Sequence, residues 1–342
     1  MKGRISILLI AFAIFTNVIT RAQQAGEHTY DFLNLTNSAR VAALGGNQVG
    51  MNHGDLSLMF HNPANLSQEL HNSLCFNYVP YISDIKMTYA AYGHHIQSVG
   101  TFGISVHAVN YGSFDRADEN GNLNGTFSAT EYAISINYTK TLSPKWRAGI
   151  AIKPIISNLE QYNSFGLATD IGLLYNSDNK LFSAGITLKN AGAQISSYND
   201  THEPLPTDLQ IGFSKKLAHA PFRLSITAQD LFDWDMKYKV SDGNNETIEG
   251  KGNNGNSFDQ LMRHINVGVE LLPSDNFYVG VGYNHRRRKE LGVSEKMSTS
   301  GFSWGFGFRV YKFHFAYGSA RYHLGGASNH FSISTNFSDF RR

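Results

Sequence analysis

Two short motifs in the chain could, by residue type, supply a serine nucleophile. Ser83 and Lys86 have the S-x-x-K spacing of serine acyl-transfer enzymes, and Ser274 begins an S-D-N tripeptide, another box of that chemistry. The third box, K-T-G, is absent, because Leu142 follows Lys140-Thr141. S-x-x-K also needs Ser and Lys one helical turn apart, whereas these two lie at a predicted strand-to-strand turn. We therefore predict that the protein is not an enzyme.

Metal and cofactor motifs are also absent from the sequence. The 14 histidines are dispersed, no H-E-x-x-H occurs, and the adjacent pair His94-His95 would project to opposite faces of a strand. The Gly-x-Gly pairs have strand spacing rather than the spacing of a phosphate loop. The single cysteine, Cys75, lies in an apolar run, where a buried or lipid-facing thiol is expected. No cofactor or metal is predicted.

A basic cluster and an aromatic pair are the candidates for binding chemistry. Arginine forks bind phosphate or carboxylate bidentately, so a cluster at the outer end of a predicted strand could contact lipopolysaccharide or an acidic partner. A solvated loop cluster is the alternative, because exposed charges contribute little. Trp234 and Tyr238 precede a Gly/Asn-rich stretch and offer aromatic anchors for a surface partner. The basic cluster consists of Arg286, Arg287, Arg288 and Lys289.

The elements that would position these residues repeat with a period of two. Between Asn72 and Phe340, large apolar side chains take every second position, with Gly, Ser, Asn or Gln between them. A soluble sandwich would carry Lys and Glu on its polar face, whereas a small-residue face opposite an aromatic one is typical of an outer-membrane β-barrel. The side chains expected to face lipid include Val281, Phe302, Trp304, Phe306, Phe331 and Ile333, with Gly305 and Gly307 facing inward.

The composition favours the same fold. Charged residues make up 16% of the chain, well below the roughly 25% of ordinary soluble domains. A lipid-facing surface explains this deficit, because each charge at the bilayer midplane costs about 2–4 kcal/mol. The net charge of +2 is too small to suggest a nucleic-acid partner, and no RNA-binding motif is present.

The apolar runs predict a single all-β transmembrane antiparallel β-barrel of about fourteen strands. Short turns alternate with longer polar connections, which fits short periplasmic turns and long outer loops. The long connections are predicted at 111–125, 190–204, 233–261 and 286–298.

The N-terminus predicts export. Lys2 and Arg4 precede an apolar run, and Thr20-Arg21-Ala22 puts small residues at a cleavage site, so residues 1–22 are a predicted signal peptide. No later stretch approaches 18 uninterrupted apolar residues. The mature chain then divides into a non-alternating segment, 23–71, and the barrel, 72–342. The predicted location is the outer membrane of a Gram-negative bacterium.

The segment 23–71 contains large apolar side chains that need burial, among them Leu44, Leu56 and Phe60. A lumen walled by Gly and Ser could accept the segment as a plug, because the backbone can approach such a wall closely. A periplasmic extension with its own contacts is the alternative.

This segment also carries a family resemblance. Ser38-Ala39-Arg40 and Gly45-Gly46, then Asp55, then Asn62-Pro63-Ala64 resemble the N-terminal hatch of the FadL-like outer-membrane proteins. Within that superfamily, the opening residues 32–36 and the overall length look most like the PorQ family of the Bacteroidetes type IX secretion system. The resemblance implies structural hatch roles for Ser38, Gly45, Gly46, Asp55, Asn62, Pro63 and Ala64.

The resemblance implies a membrane anchor rather than a catalyst. Such a barrel would hold a PorZ-like surface partner in the type IX attachment complex, beside PorV-like components and PorU, which supplies the sortase-like chemistry that links cargo to lipopolysaccharide. The alternative function is a FadL-like channel for uptake of hydrophobic small molecules, and a purely structural barrel is a third. A Gly/Ser-packed lumen would favour docking and an apolar lumen pocket would favour uptake. The Gly/Ser faces of the strands therefore favour docking.

Overall fold

The computed structural model describes residues 28–118, 120–234, 239–241, 247–249, 257–291, 299–323 and 326–340. The predicted signal peptide, the first residues of segment 23–71 and Tyr238 lie outside these described residues.

Sixteen strands occur within the described ranges. They are β1 Ser73–Pro80, β2 Lys86–Ile96, β3 Gly100–Ala117, β4 Leu123–Thr141, β5 Trp146–Leu159, β6 Tyr162–Asn176, β7 Phe182–Ser196, β8 Asp208–Lys216, β9 Phe222–Ala228, β10 Lys239–Ser241, β11 Thr247–Glu249, β12 Ile265–Ser274, β13 Phe277–Asn284, β14 Phe302–Val310, β15 Phe313–His323 and β16 Gly326–Asn336.

Fourteen of these described strands close into one barrel. The order is β1-β16-β15-β14-β13-β12-β9-β8-β7-β6-β5-β4-β3-β2, and β10 and β11 form a separate two-stranded hairpin. Every neighbouring pair in the barrel is antiparallel. The predicted fold class, an antiparallel barrel of about fourteen strands, is confirmed.

The two faces of the strands divide as the alternation predicts. Trp304 and Val281 are paired neighbours on the outer face and are 51% and 49% exposed. Gly305 lies between Gly280 and Gly318 in the ladder and faces inward. Phe302 and Phe331 are also exposed, whereas Phe306 and Ile333 are half-buried between neighbouring rings on the same outer face.

Strands extend into two of the predicted long loops, 111–125 and 190–204. β3 and β4 have 18 and 19 residues, so most of 111–125 forms a hairpin that continues the ladder. β7 likewise runs to Ser196. The extension of β3 and β4 could not be predicted from the sequence. Both faces of the projecting hairpin meet solvent, so its residues show no apolar alternation.

The segment 28–71 has little regular structure. It contains one short α-helix, α1 Ala39–Ala43, and 3₁₀ helices at Asp31–Asn34, Leu56–Phe60, Pro63–Asn65 and Gln68–Leu70. Most of its side chains are buried. Gly149 of β5 and Gly212 of β8 meet the backbone around Ala64 and Gly50, while Gly318 of β15 meets Ala39. These strands belong to well-separated parts of the wall, so the segment contacts several sides of the barrel.

Two further helices, α2 Ser257–Arg263 and α3 His285–Glu290, occupy the long-loop end of the barrel. β13 ends at Asn284 because this residue caps α3: its side-chain oxygen accepts a hydrogen bond from the Arg287 amide at 2.9 Å. None of the helices within the described ranges is long and apolar enough to span a bilayer.

Candidate functional site

The Asn62-Pro63-Ala64 motif forms a tight contact between the segment and the wall. Asn62 Oδ1 accepts the Ala64 amide at 2.9 Å and Asn62 Nδ2 donates to the Val49 carbonyl at 3.2 Å, so one side chain fixes two stretches of backbone. A Cβ on Gly149 would lie 2.5 Å from the Ala64 nitrogen. The wall is therefore glycine where the motif touches it, and the motif has a structural role.

Gly45 and Gly46 end α1 in the left-handed region, with φ of 99° and 100°. The Gly45 amide donates to Ser303 Oγ at 3.1 Å, and Ser303 Oγ donates to the Ala43 carbonyl at 3.0 Å. Thr36 Oγ1 donates to the Gly46 carbonyl at 2.6 Å. The turn thus joins α1 to β14 through backbone groups.

Ser38 and Asp55 begin helices in the segment. Ser38 precedes α1 in extended conformation and is buried, although its side chain makes no cap hydrogen bond. Asp55 caps the 3₁₀ helix Leu56–Phe60, with Oδ1 accepting the Ser57 amide at 2.9 Å.

A buried ion cluster joins α1 to two strands. Arg40 Nε lies 2.7 Å from Glu270 Oε1, and Arg223 Nη1 lies 3.1 Å from Glu270 Oε2. The Arg40 guanidinium also lies 4.5 Å from the centre of the Tyr278 ring. Because both arginines depend on one buried carboxylate, this cluster fixes the position of α1 against β9 and β12. Sequence reasoning missed it; the only signal was one arginine in a stretch of small residues.

A second polar cluster joins the segment to β5, β6 and β7. Lys153 Nζ lies 2.6 Å from Asp170 Oδ1, which also accepts the Asn190 amide at 2.7 Å. Asn190 Nδ2 donates to Asn34 Oδ1 at 3.2 Å. The ammonium of the adjacent Lys189 lies 4.6 Å from the centre of the Phe60 ring. The segment is therefore held here by side-chain contacts.

An apolar cluster lies against strands β1 to β6 in the long-loop half of the barrel. Phe32, Leu33 and Tyr30 of the segment are at most 3% exposed and pack against a ring of inward-facing wall side chains. This ring is partial and consists of Val79, Met87, Val109, Ala133, Ile155 and Ala168, from six consecutive strands of the fourteen, with Leu205 beside it. The predicted Gly/Ser wall is thus only part of the inner face, because this partial apolar ring lies at the long-loop end of the same strands.

The four basic residues predicted as a surface cluster lie on α3 and point in different directions. Arg286 Nη1 pairs with Asp230 Oδ2 at 3.0 Å, and Lys289 Nζ with Asp259 Oδ1 at 3.3 Å. The Arg287 guanidinium donates to the Gly45 carbonyl, and Arg288 packs over the backbone of Gly301. Arg287 therefore connects α3 to the segment, a contact that the sequence did not predict.

Asp259 of α2 is the centre of an ionic group at the long-loop end. It accepts from His285 Nε2 at 2.9 Å and from Arg263 Nε at 3.0 Å, besides Lys289. Partial burial acts to raise the pKa of Asp259, but these three donors lower it well below its usual range. Nearby, Trp234 is 55% exposed and its ring stacks on His264 with centroids 5.1 Å apart.

The residues of the acyl-transfer motifs are far apart. Ser83 lies in the turn between β1 and β2 with φ of 50°, whereas Ser274 ends β12 at the opposite rim. Among the described residues, no group of three His, Cys, Asp or Glu side chains is placed to hold a metal ion.

Known structures match the chain in fold. Neither a family model nor a curated protein matches it. The deltaS2 mutant of the TodX monoaromatic hydrocarbon channel matches with a TM-score of 0.53 and 12% identity, covering 88% of this chain and 97% of that chain. The Pseudomonas putida toluene transporter TodX gives 0.52 and 10%, covering 88% and 96%. A Pseudomonas aeruginosa FadL homologue gives 0.48 and 10%, covering 88% and 98%.

At these identities the likeness shows the fold alone. The chain shares the closed β-barrel fold of the two TodX structures. The outer-membrane location stays a prediction.

Proposed function

We propose that the protein is an outer-membrane channel for hydrophobic small molecules and that the segment 28–71 is its hatch. The observation that carries this proposal is the partial apolar ring of β1 to β6, against which Phe32 and Leu33 pack. Ligand sites in proteins are typically apolar cavities with a few polar groups at their edge. When the segment withdraws, the ring becomes such a cavity.

In the closed state, side chains of the segment occupy the place that a hydrophobic ligand would take. Phe32 and Leu33 are 2% and 1% exposed, and their burial stabilises the closed state by about 1.5–3 kcal/mol each. A hydrophobic molecule in the ring would replace that burial. Such a molecule therefore competes with Phe32 and Leu33, and its binding favours the open state.

Polar contacts below the partial ring hold the segment against the wall in a way that can be reversed. The Asn34–Asn190 hydrogen bond and the Lys189–Phe60 contact lie between segment and wall, so the two surfaces are joined by groups that water can satisfy after separation. The fold neighbours agree with this function: TodX is described as a toluene transporter.

Binding of an environment-sensitive apolar fluorophore to the purified barrel tests the channel function. Val109 belongs to the partial apolar ring on the inner face, whereas Val106, on the same strand, is 39% exposed on the outer face. Val109→Thr keeps the shape but places a hydroxyl in the ring, so the Kd should rise about tenfold, whereas Val106→Thr should leave it unchanged. Equal Kd values for both variants would refute binding in the ring.

A second function, anchoring of a surface partner, is favoured by the projecting β3–β4 hairpin. An 18-residue strand spans about 60 Å, and even a tilted strand of this length exceeds the apolar band of about 25 Å. Leu123 at its tip is 69% exposed, and Phe114 stacks on Phe127 with centroids 5.2 Å apart. Exposed aromatic pairs suit a protein interface.

In this second function the partner would be a PorZ-like protein of the type IX attachment complex, with PorU and PorV-like components nearby, as the family resemblance implies. Replacing 113–128 by a two-residue turn should release that partner from cells while the barrel stays inserted. If the protein is only a channel, surface proteins recovered with the barrel should be unchanged and fluorophore binding should persist.

A further inference from the structure

The lipid-facing wall contains an apolar groove over the seam where the barrel closes. β1 and β16 are paired from Ser73↔Asn336 to Tyr78↔Phe331, and this pairing joins the two ends of the sheet. A cavity of about 390 Å³ lies over the seam. Its lining consists of Phe76, Tyr78, Phe306, Phe308, Phe315, Ala316, Tyr317, Phe331, Ser332 and Ile333.

The groove is built by the strand register. Its walls are two parallel rows that cross four strands, one made of Phe308, Phe315, Ile333 and Phe76, and the other of Phe306, Tyr317, Phe331 and Tyr78. Rings touch within each row, with centroids 5.7 Å apart for Phe308–Phe315 and 5.6 Å for Tyr317–Phe331. Between the rows, the paired residues Ala316 and Ser332 turn their side chains to the inner face, so the floor of the groove is their backbone.

We propose that this groove binds the acyl chain of one phospholipid, whose phosphate contacts Lys312. The groove opens on the face that meets the bilayer, and its lining is almost wholly hydrocarbon. Water does not occupy apolar cavities of this kind, whereas acyl chains surround the barrel. Barrel strands tilt by about 35–45°, so a groove that crosses them is also inclined and can continue toward the membrane surface.

Lys312 provides a positive charge for the phosphate of the lipid. A hydrocarbon without a headgroup would make no such contact. It lies in the β14–β15 turn at the short-turn rim, three positions from Phe315, or about 10 Å along an extended strand. Its ammonium lies 4.8 Å from the centre of the Tyr311 ring and 4.6 Å from that of Phe340. Aromatic rings with a lysine at a barrel rim mark the level of the lipid headgroups.

The bound lipid would protect the seam. Its chain covers the outer side of the β1–β16 pairing, so the occupied barrel should unfold at a higher temperature than the stripped barrel. This role does not depend on whether the lumen conducts.

Lipid quantification by mass spectrometry on detergent-purified protein tests the proposal. After extensive washing, the wild type should retain a single phospholipid, and the double variant Phe315→Ala/Phe331→Ala should retain it about tenfold more weakly. Phe213→Ala, which removes a 48% exposed outer ring on β8, is the matched control and should retain lipid as the wild type does.

Lys312→Ala gives an independent readout if the double variant does not fold. It should weaken retention of added phosphatidylethanolamine but not of added hexadecane, which has no charged group, and phosphatidylethanolamine should raise the unfolding temperature of the stripped wild type only. The proposal would be overturned if the double variant and the Phe213→Ala control retained lipid equally. It would also be overturned if the wild type retained palmitate in place of phospholipid, or formed a lipid-free dimer through this face.

Discussion

Arg40 Nε lies 2.7 Å from Glu270 Oε1, an ion pair that spans 230 positions of the sequence and joins the segment 28–71 to the inner wall. Both side chains are almost completely buried, at 4% and 1% exposure. Glu270 is also the partner of Arg223. Two buried arginines, one of them in the segment, therefore share one carboxylate.

Glu270→Gln should leave two buried arginines without a counter-charge. Breaking a buried pair costs about 3–5 kcal/mol, so the unfolding temperature of the purified barrel should fall and trypsin should cut within 28–71 more rapidly. Asp178→Asn is the control, since Asp178 is 77% exposed in its pair with Lys145 and such pairs contribute less than about 1 kcal/mol. Equal proteolysis of the two variants would show that the cluster does not hold the segment.

Gly212→Ala should push the segment away from β8. A Cβ at Gly212 would lie 2.5 Å from the Gly50 nitrogen, which is backbone and cannot rotate aside. We expect a destabilisation of about 1–3 kcal/mol and higher single-channel conductance in planar bilayers. Gly54→Ala is the matched control, because a Cβ there meets nothing within 4 Å. A Gly212→Ala barrel with the conductance and stability of the control would contradict the close approach.

The faces of the barrel strands could be predicted from the sequence, whereas the contacts between the segment 28–71 and the wall could not. Trp304 and Gly305 could be assigned to opposite faces because strand side chains alternate and the two environments differ in chemistry. The Arg40–Glu270 pair could not be predicted, because neither residue carries a local pattern and the contact forms only when the barrel closes.

The helix α3 was missed for a different reason. Its residues 285–290 are all polar, so they show no apolar period of 3.6, and the Asn284 cap is visible only when its side chain is seen to accept from Arg287. The phosphate-binding role predicted for Arg286, Arg288 and Lys289 stays a prediction. Arg287 contacts the Gly45 carbonyl instead.

The α2–α3 contact should weaken in acid. The pKa of Asp259 is lowered by its donors, so the carboxylate stabilises the folded loops at pH values above the unfolded pKa of about 3.9. This contribution is lost as the pH falls through the lower, folded pKa. The protection factors of the amides in 257–263, which correct for the slower intrinsic exchange in acid, should therefore fall below about pH 4 in the wild type. Asp259→Asn should show low protection factors already at neutral pH, with little further change in acid; wild-type protection factors that do not change with pH would refute this.

Replacing 240–258 by a short Gly/Ser turn should distinguish anchoring from uptake. The replaced residues belong to the connection between β9 and β12 at the long-loop end, so the barrel should still insert. An anchor that uses Trp234 and Tyr238 beside this stretch should lose its surface partner and impair cargo display. A channel should keep fluorophore uptake, and surface proteins recovered by cross-linking should be unchanged.

Reversible tethering of the segment tests the central claim, that it must move for hydrophobic molecules to pass. Asn34 Oδ1 and Asn190 Nδ2 are 3.2 Å apart, so Asn34→Cys/Asn190→Cys in a Cys75→Ala background allows a short cross-link between segment and wall. The control pair Asn72→Cys/Ser338→Cys, also 3.2 Å apart through its native side chains, joins two positions at the rim. In proteoliposomes, cross-linking of 34 to 190 should abolish fluorophore uptake and reduction should restore it, while the rim cross-link has no effect. Full uptake by the cross-linked 34–190 barrel would contradict the account.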